Sequence, residues 1–527
     1  MRSLLMFPDR EFDPDQLLTD MAYRRQPIDR AQQLPLHDLT LIQDLELDTL
    51  LNAMAGGDEF LLPVAQQAVL SGLRNDLETI LYRQEVLKDC LREPAAVRQL
   101  YHLTVETIEQ ARRKWWSLSG DYPDSLLSDA IGLLDVLMGM LRKLRAFAEE
   151  QAGPFESKAF AALFTMIRTE LGDAYLATVE NHLRELRFRK GVLLSAALGD
   201  WSESSKLLLR KVPDKRQNWF ERILGKGPPG YTFRLAERDE AGARILSEMR
   251  HRGISRVSIA LAESADHVLS FFRMLKTELA FYVGCLNLHD RLAAKGEPVC
   301  FPAPALAEQR KHRCSGLYDV CLSLHMPERV IGNSVEADGR NLTIITGANQ
   351  GGKSSFLRSI GLAQLMMQCG LFVGAESFAA GVCPALFTHY RREEDATMKS
   401  GKFDEEMARM SGIVDDIQPN ALLLFNESFA ATNEREGSEI AKQIVCALLE
   451  KRVKIFYVTH LYEFARSFFD RKAGDAIFLR AERKADGTRT FRLLEGEPLE
   501  TSYGEDLYRQ IFNANPSPQS ESPDGLK

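Results

Sequence analysis

The stretch Gly347-Ala-Asn-Gln-Gly-Gly-Lys-Ser354 decides the fold of the second half of the chain. It fits the pattern G-x4-G-K-[ST], in which glycines let backbone N–H groups converge on phosphate oxygens. The stretch follows the apolar run 341–346 and precedes a helical pattern, the strand–loop–helix order that a phosphate loop requires. The sequence therefore predicts an α/β P-loop NTPase domain whose nucleotide-binding residues are Gly347, Ala348, Asn349, Gln350, Gly351, Gly352, Lys353, Ser354 and Ser355.

The expected ligands of this loop are ATP and Mg²⁺. Lys353 is predicted to reach the β- and γ-phosphates, and the Ser354 hydroxyl to ligate Mg²⁺. A second metal ligand is expected where the apolar run 421–425 ends, a position at which such ATPases usually carry an Asp-Glu pair. Here the pair is Asn426-Glu427, so Glu427 keeps the place of the general base while Asn426 brings no charge to the metal. We expect weaker Mg²⁺ binding or slower hydrolysis, and a non-hydrolysing nucleotide switch stays open as an alternative.

Two polar segments follow the acidic strand. Thr432 and Asn433 precede a helical pattern over 438–450, and a helix N-terminus is suited to meet a phosphate from a second subunit. His460 ends the next apolar strand, where an imidazole can hydrogen-bond a γ-phosphate or the attacking water. Glu427 and His460 are therefore the predicted catalytic residues.

Five motifs in this half resemble, in order, those of the MutS family. The loop through Ser355 resembles the family's G-P-N-M-G-G-K-S-T. The other four resemble S-T-F-x-x-E-M, D-E-x-x-x-G-T-S, A-T-H and S-Y-G, and they are Ser400-Gly-Lys-Phe-Asp-Glu-Glu-Met407, Asn426-Glu-Ser-Phe-Ala-Ala-Thr-Asn433, Val458-Thr-His460 and Ser502-Tyr-Gly504.

The resemblance implies an ABC-like ATPase domain, preceded by an all-α domain similar to the family's core and lever. It also implies a homodimer with composite ATP sites, in which Thr432 and Asn433 complete the partner's site. Asn433 stands where the family has its trans-acting Ser. Only about 30 residues precede the core, too few for the family's mismatch-reading domain, and mismatch recognition is not expected.

The domain boundaries follow from changes in pattern. Residues 1–30 are expected to be a loosely ordered leader and 513–527 a disordered tail. Helical spacing over 125–147 is typical of one buried helix face within a helical domain at 31–300. The segment 188–260 is predicted to be a small mixed insert, a possible reduced clamp, with strands at 231–235 and 257–261 and a helix resuming at Glu263. The ATPase domain is placed at 305–512.

A basic patch lies within the predicted insert. The chain has a net charge of −8, yet residues 184–234 carry twelve basic and five acidic residues. Such a patch can bind backbone phosphates, although a solvated surface loop would have the same composition. The residues expected to contact nucleic acid are Arg189, Lys190, Lys211, Lys215 and Arg216.

The remaining features concern location and partners. The start of the chain does not read as a signal peptide, and no apolar run reaches the length of a membrane span, so a cytoplasmic protein is expected. The expected function is that of an ATP-hydrolysing protein that binds structured or damaged DNA and moves its helical arms with nucleotide state. The alternative is a weakly hydrolysing switch that acts on a protein, RNA or ribosome partner.

Overall fold

A computed structural model describes residues 1–12, 36–115, 122–189, 191–196, 207–211, 234–392, 401–471, 474–484 and 489–499. The chain forms two compact units, one from Met1–Leu4 and Glu93–Leu279, the other from Leu5–Arg92 and Ala280–Lys527. The predicted tail at 513–527 and most of the predicted leader lie outside the described residues.

The helices within the described ranges are α1 (Leu36–Asp44), α2 (Leu47–Ala55), α3 (Leu61–Ser71), α4 (Leu77–Arg92), α5 (Pro94–Trp115), α6 (Pro123–Gln151), α7 (Lys158–Glu170), α8 (Asp173–Leu186), α9 (Glu240–Ala294), α10 (Val320–His325), α11 (Lys353–Gln368), α12 (Lys402–Asp416), α13 (Glu434–Glu450) and α14 (Tyr462–Asp470). The strands are β1 (Leu193–Ala196), β2 (Leu207–Arg210), β3 (Ala303–Ala305), β4 (His312–Leu317), β5 (Asn333–Glu336), β6 (Leu342–Thr346), β7 (Ser377–Gly381), β8 (Leu386–Tyr390), β9 (Leu422–Asn426), β10 (Lys454–Val458), β11 (Ala476–Arg483) and β12 (Arg489–Glu495).

As far as its residues are described, the first unit is helical, with one antiparallel hairpin. Helix α6 buries the residues whose spacing predicted it, namely Leu127, Ile131, Leu134, Met138 and Leu141. These side chains recur every three or four residues and therefore share one face. Strands β1 and β2 pair antiparallel, with Leu193 opposite Arg210, so part of the predicted insert does form strands.

Helix α9 overlaps the last part of the predicted insert. The strand predicted at 257–261 is wrong, because α9 is helical from Glu240 onward and already occupies the last part of 188–260. Ile254, Ser258, Ala265 and Leu269 are all buried in the first unit. Their spacing is that of a helix face, and the short apolar alternation at 257–261 had concealed it.

The second unit is built around a six-stranded sheet of order β12-β11-β6-β10-β9-β8. Strands β8, β9, β10, β6 and β11 run parallel, and β12 pairs antiparallel with β11. All five residues of β6 are buried, as expected of a strand covered on both faces. The apolar runs predicted as strands at 341–346, 421–425 and 454–459 are confirmed. A smaller sheet has the order β3-β7-β4-β5.

Helix α11, which follows the phosphate loop, is buried on nearly all sides. Every residue from Phe356 to Gln368 except Arg358 is buried. Gln364 Nε2 donates to the backbone oxygen of Gly381 at 3.0 Å, and Gln368 Nε2 donates to that of Cys383 at 3.0 Å. Because buried amides need partners, these two glutamines fix the helix against the chain that enters β8.

The start of the chain is not loose, so the prediction of a leader is wrong for its first residues. Within the second unit, Leu5 and Met6 are fully buried and Phe12 is 3% exposed. Arg83 Nε donates to the Met6 carbonyl at 2.8 Å, and Tyr282 Oη donates to the Leu5 carbonyl at 2.5 Å. Apolar burial and these two donors offset the cost of ordering the segment.

Within the described ranges, no helix is long and apolar enough to cross a membrane.

Candidate nucleotide site

The predicted phosphate loop connects β6 to α11 at the carboxyl edge of the six-stranded sheet. Gly347, Gln350 and Gly352 have positive φ values of 115°, 58° and 86°. A Cβ added at Gly347 would lie 2.9 Å from the backbone nitrogen of Ala481, and one at Gly351 would lie 2.7 Å from the Ala481 Cβ. Glycine is therefore needed both for the turn and for its close approach to β11.

Lys353 is held inside the loop. The residue is 4% exposed, and its Nζ donates to the carbonyls of Gly347 and Ala348, each at 2.8 Å. Burial lowers the pKa of Lys353 to about 8, and the charge of Glu427 acts in the opposite direction. A phosphate oxygen in the loop would stabilise the charged ammonium.

Ser354 and Asn426 meet, although they are 72 positions apart in the sequence. The Ser354 hydroxyl donates to Asn426 Oδ1 at 3.0 Å, which places both oxygens at the junction of the loop and β9. A hydroxyl that ligates the metal and an amide oxygen that accepts from a metal-bound water fit Mg²⁺ that is held mainly by nucleotide phosphates and water. Among the described residues there is no cluster of three acidic, histidine or cysteine side chains able to hold a metal alone.

Glu427 follows Asn426 and is paired with His460. Glu427 Oε1 accepts from His460 Nε2 at 2.8 Å, and this hydrogen bond lowers the pKa of the Glu427 carboxyl. The Glu427 backbone N–H donates to the Val458 carbonyl at 2.8 Å, at a φ of +54°. The two predicted catalytic residues are thus adjacent, and the carboxylate is ionised at neutral pH.

The predicted trans-acting residues form the N-terminal cap of α13. Asn433 Oδ1 accepts from the Glu436 backbone N–H at 3.0 Å, and Thr432 Oγ1 donates to Glu436 Oε2 at 2.5 Å. Behind this cap, a Cβ on Gly437 would lie 2.3 Å from the Phe429 carbonyl oxygen. The loop from Glu427 to Asn433 is therefore packed tightly onto its helix, and a contact with a second subunit stays a prediction.

The buried residue His389 contacts this loop through Ser428. Sequence reasoning had not singled out this histidine. His389 Nε2 lies 3.0 Å from the Glu406 carbonyl and Nδ1 lies 2.7 Å from the Ser428 hydroxyl. Since a carbonyl can only accept, Nε2 carries the proton. Burial first, and then the charges of Arg409 and Arg392, lower the pKa of His389 to about 4.

Arg391 is a second residue that was not predicted. Its Nη1 lies 3.9 Å from Glu427 Oε2, whereas His460 contacts the other oxygen, Oε1. The available signal was positional, because Arg391 directly follows the segment Leu386-Phe-Thr-His-Tyr390, which ends at the same edge as the acidic strand. Because Tyr390 in β8 pairs with Asn426 in β9, the residues that follow them, Arg391 and Glu427, lie close together.

The structure describes only part of the predicted nucleic-acid patch. Lys211 Nζ lies 2.8 Å from Glu185 Oε1 in an exposed ion pair, and Arg189 is exposed. Lys190, Lys215 and Arg216 lie outside the described residues.

Comparison with known proteins gives two family matches. A model described as "MutS2 N-terminal domain" matches residues 75–295, and one described as "MutS domain V" matches residues 343–515. "DNA mismatch repair protein MutS" of Thermotoga neapolitana is 25% identical over 488 residues, which covers 89% of this chain and 57% of that protein. "MutS protein homolog 4" of Mus musculus is 29% identical over 262 residues, covering 49% of this chain and 26% of that protein. The chain thus spans less than two thirds of the length of each.

Proposed function

Because the chain belongs to the MutS family, we propose that it binds and hydrolyses ATP with Mg²⁺ and couples this cycle to DNA binding. The observation that carries the proposal is the meeting of Lys353, the Ser354–Asn426 pair and the Glu427–His460 pair at the edge where the parallel strands of the sheet end. Ligands bind at the carboxyl ends of the strands in such sheets.

Each group has a distinct part in the proposed reaction. Lys353 neutralises charge on the β- and γ-phosphates. Mg²⁺, held with the phosphates by Ser354 and Asn426, would add further charge neutralisation. Glu427 accepts a hydrogen bond from the attacking water, and His460 fixes the orientation of that carboxylate.

The first test is steady-state ATP hydrolysis with Mg²⁺, alone and with duplex, branched or single-stranded DNA. Lys353→Ala should lose nucleotide binding, whereas Glu427→Gln should keep binding and lose turnover. Hydrolysis that persists in purified Glu427→Gln protein would exclude Glu427 as the base.

A second candidate is a nucleotide switch with little turnover, which the neutral Asn426 favours. Tight ATP binding without hydrolysis in every condition would select it. The expectation of an RNA or ribosome partner gains no support from the Thermotoga neapolitana relative, whose name concerns DNA mismatch repair.

We also propose that two copies form composite sites, each with the phosphate loop of one copy and the Thr432–Asn433 loop of the other. Asn433→Asp keeps an oxygen for the helix cap but adds a charge that repels phosphate. Mixing it with Lys353→Ala leaves one intact site in each mixed dimer. An equal mixture of the two inactive variants should then regain up to about a quarter of wild-type activity. No regain of activity on mixing would argue against shared sites.

DNA binding through the basic patch predicts a strong salt dependence of affinity. Replacing three patch cations should reduce the slope of log affinity against log salt by up to about 3. The three changed residues are Lys211, Lys215 and Arg216. A matched control replaces three exposed cations of the ATPase domain, namely Arg340, Lys451 and Arg471. An equal slope in both triple variants would remove the patch from the proposal.

A further inference from the structure

We propose that Arg391 is a second protein cation for the terminal phosphate of ATP, and that it makes the site prefer ATP to ADP. The proposal rests on the proposed nucleotide site and adds a residue that neither the sequence motifs nor the phosphate loop includes.

The backbone of Arg391 lies at the site. Its N–H donates to the Asn426 carbonyl at 2.9 Å, which extends the pairing of β8 with β9 by one residue. Arg391 therefore leaves the sheet beside the residues expected to face the metal and the attacking water.

The residues on either side of Arg391 are anchored. Arg409 Nη1 donates to the Tyr390 carbonyl at 3.0 Å, and Arg392 Nη2 lies 2.8 Å from Asp44 Oδ1. Asp44 is 8% exposed, so this ion pair is screened little by solvent. The side chain of Arg391 itself is 46% exposed. A fixed backbone with an exposed guanidinium allows the side chain to change partner without moving the sheet.

The ion pair of Arg391 with Glu427 is a weak one. The 3.9 Å between Arg391 Nη1 and Glu427 Oε2 exceeds a hydrogen-bond distance, so the attraction is Coulombic and partly screened. A terminal phosphate carries more charge than one carboxylate and matches the planar guanidinium in a bidentate fashion. Asn426 is neutral and does not hold the guanidinium back. Movement of Arg391 to the phosphate would leave Glu427 Oε2 for a water molecule, while Oε1 stays with His460.

The test is calorimetric titration of the full chain with ATPγS and with ADP, each with Mg²⁺. Arg391→Gln should weaken ATPγS binding by about 10- to 100-fold, the effect of one charge-assisted hydrogen bond, and leave ADP within about twofold. Arg391→Lys keeps the charge but loses the bidentate geometry of the guanidinium, so its ATPγS affinity should lie between those of the wild type and Arg391→Gln. The control Arg340→Gln, at the amino end of β6, should change neither affinity.

The outcomes separate this proposal from the proposed function. Equal weakening of both nucleotides, or none, in a folded Arg391→Gln protein would overturn the role of Arg391 even if ATP is hydrolysed normally. Selective loss of ATPγS affinity in a protein without turnover would support Arg391 and count against the ATPase. Should Arg391→Gln fail to fold, a wild-type ATPγS-to-ADP preference retained in Arg391→Lys and in Arg391→Met would overturn the proposal.

Discussion

Replacing Asn426 by Asp should strengthen the binding of Mg²⁺ with nucleotide. Asn426 Oδ1 already accepts from the Ser354 hydroxyl at 3.0 Å, so a carboxylate oxygen in the same place preserves that contact. The substitution replaces the side-chain NH₂ group by an oxygen and adds one negative charge, so we expect the fold of β9 to be unchanged.

The magnitude follows from the type of hydrogen bond. A neutral amide oxygen that accepts from a metal-bound water contributes about 1 kcal/mol, whereas a charged acceptor contributes about 2.5 kcal/mol. The difference of about 1.5 kcal/mol corresponds to roughly a tenfold lower Mg²⁺ concentration at half-saturation. Coulomb attraction between the new carboxylate and the metal acts in the same direction.

The assay is a Mg²⁺ titration of nucleotide affinity, repeated for ATP turnover. Asn420→Asp is the matched control, since Asn420 lies just before the amino end of β9 and its Oδ1 accepts from Arg310 at 3.3 Å. An unchanged Mg²⁺ midpoint in Asn426→Asp, or the same shift in Asn420→Asp, would refute the placement of Asn426 at the metal.

Three further predictions concern the structure around the site. Gly437→Ala should destabilise the protein by about 2 kcal/mol, because its Cβ would lie 2.3 Å from the Phe429 carbonyl oxygen; Gly412→Ala in α12, with nothing within 4 Å, should be neutral or stabilising in the same urea titration. Glu427→Gly should exceed Glu427→Ala in stability by about 1 kcal/mol, since the φ of +54° favours glycine; the reverse order would contradict it. The pKa of His389, about 4, lies below its unfolded value, so its contribution is complete above pH 6.5 and lost as pH falls towards 4. His389→Gln should therefore reduce the loss of stability between pH 7.5 and 5 by about 2 kcal/mol, and an unchanged loss would exclude it as the titrating group.

The sequence predicted the parts of the site that depend on local pattern. The glycine-rich loop, the buried runs of β6, β9 and β10, and the polar residues that end them carry their signals within a few positions. The positions of Glu427 and His460 followed because the ends of parallel strands meet at one edge of a sheet.

Other features depend on contacts that the sequence does not express. Arg391 and His389 acquire meaning only from the register of β8 against β9. The burial of Met6 depends on Arg83, 77 positions away. The helical state of 257–261 was hidden because a five-residue window fits alternation as well as it fits a helix.

The two buried glutamines of α11 bear on where displacement can occur when nucleotide binds. A helix that is surrounded by side chains and tied by amides to the backbone at Gly381 and Cys383 is stiff relative to the sheet, because shifting it would break buried hydrogen bonds. When nucleotide binds at the amino end of α11, we therefore expect little displacement within the helix. We expect displacement instead in the turn between β9 and α13, because its capping hydrogen bonds at Thr432 and Asn433 are exposed to solvent. The stiffness of α11 thus directs displacement to the exposed capping bonds at the start of α13, whereas Ser428 and Phe429 of the same turn are buried.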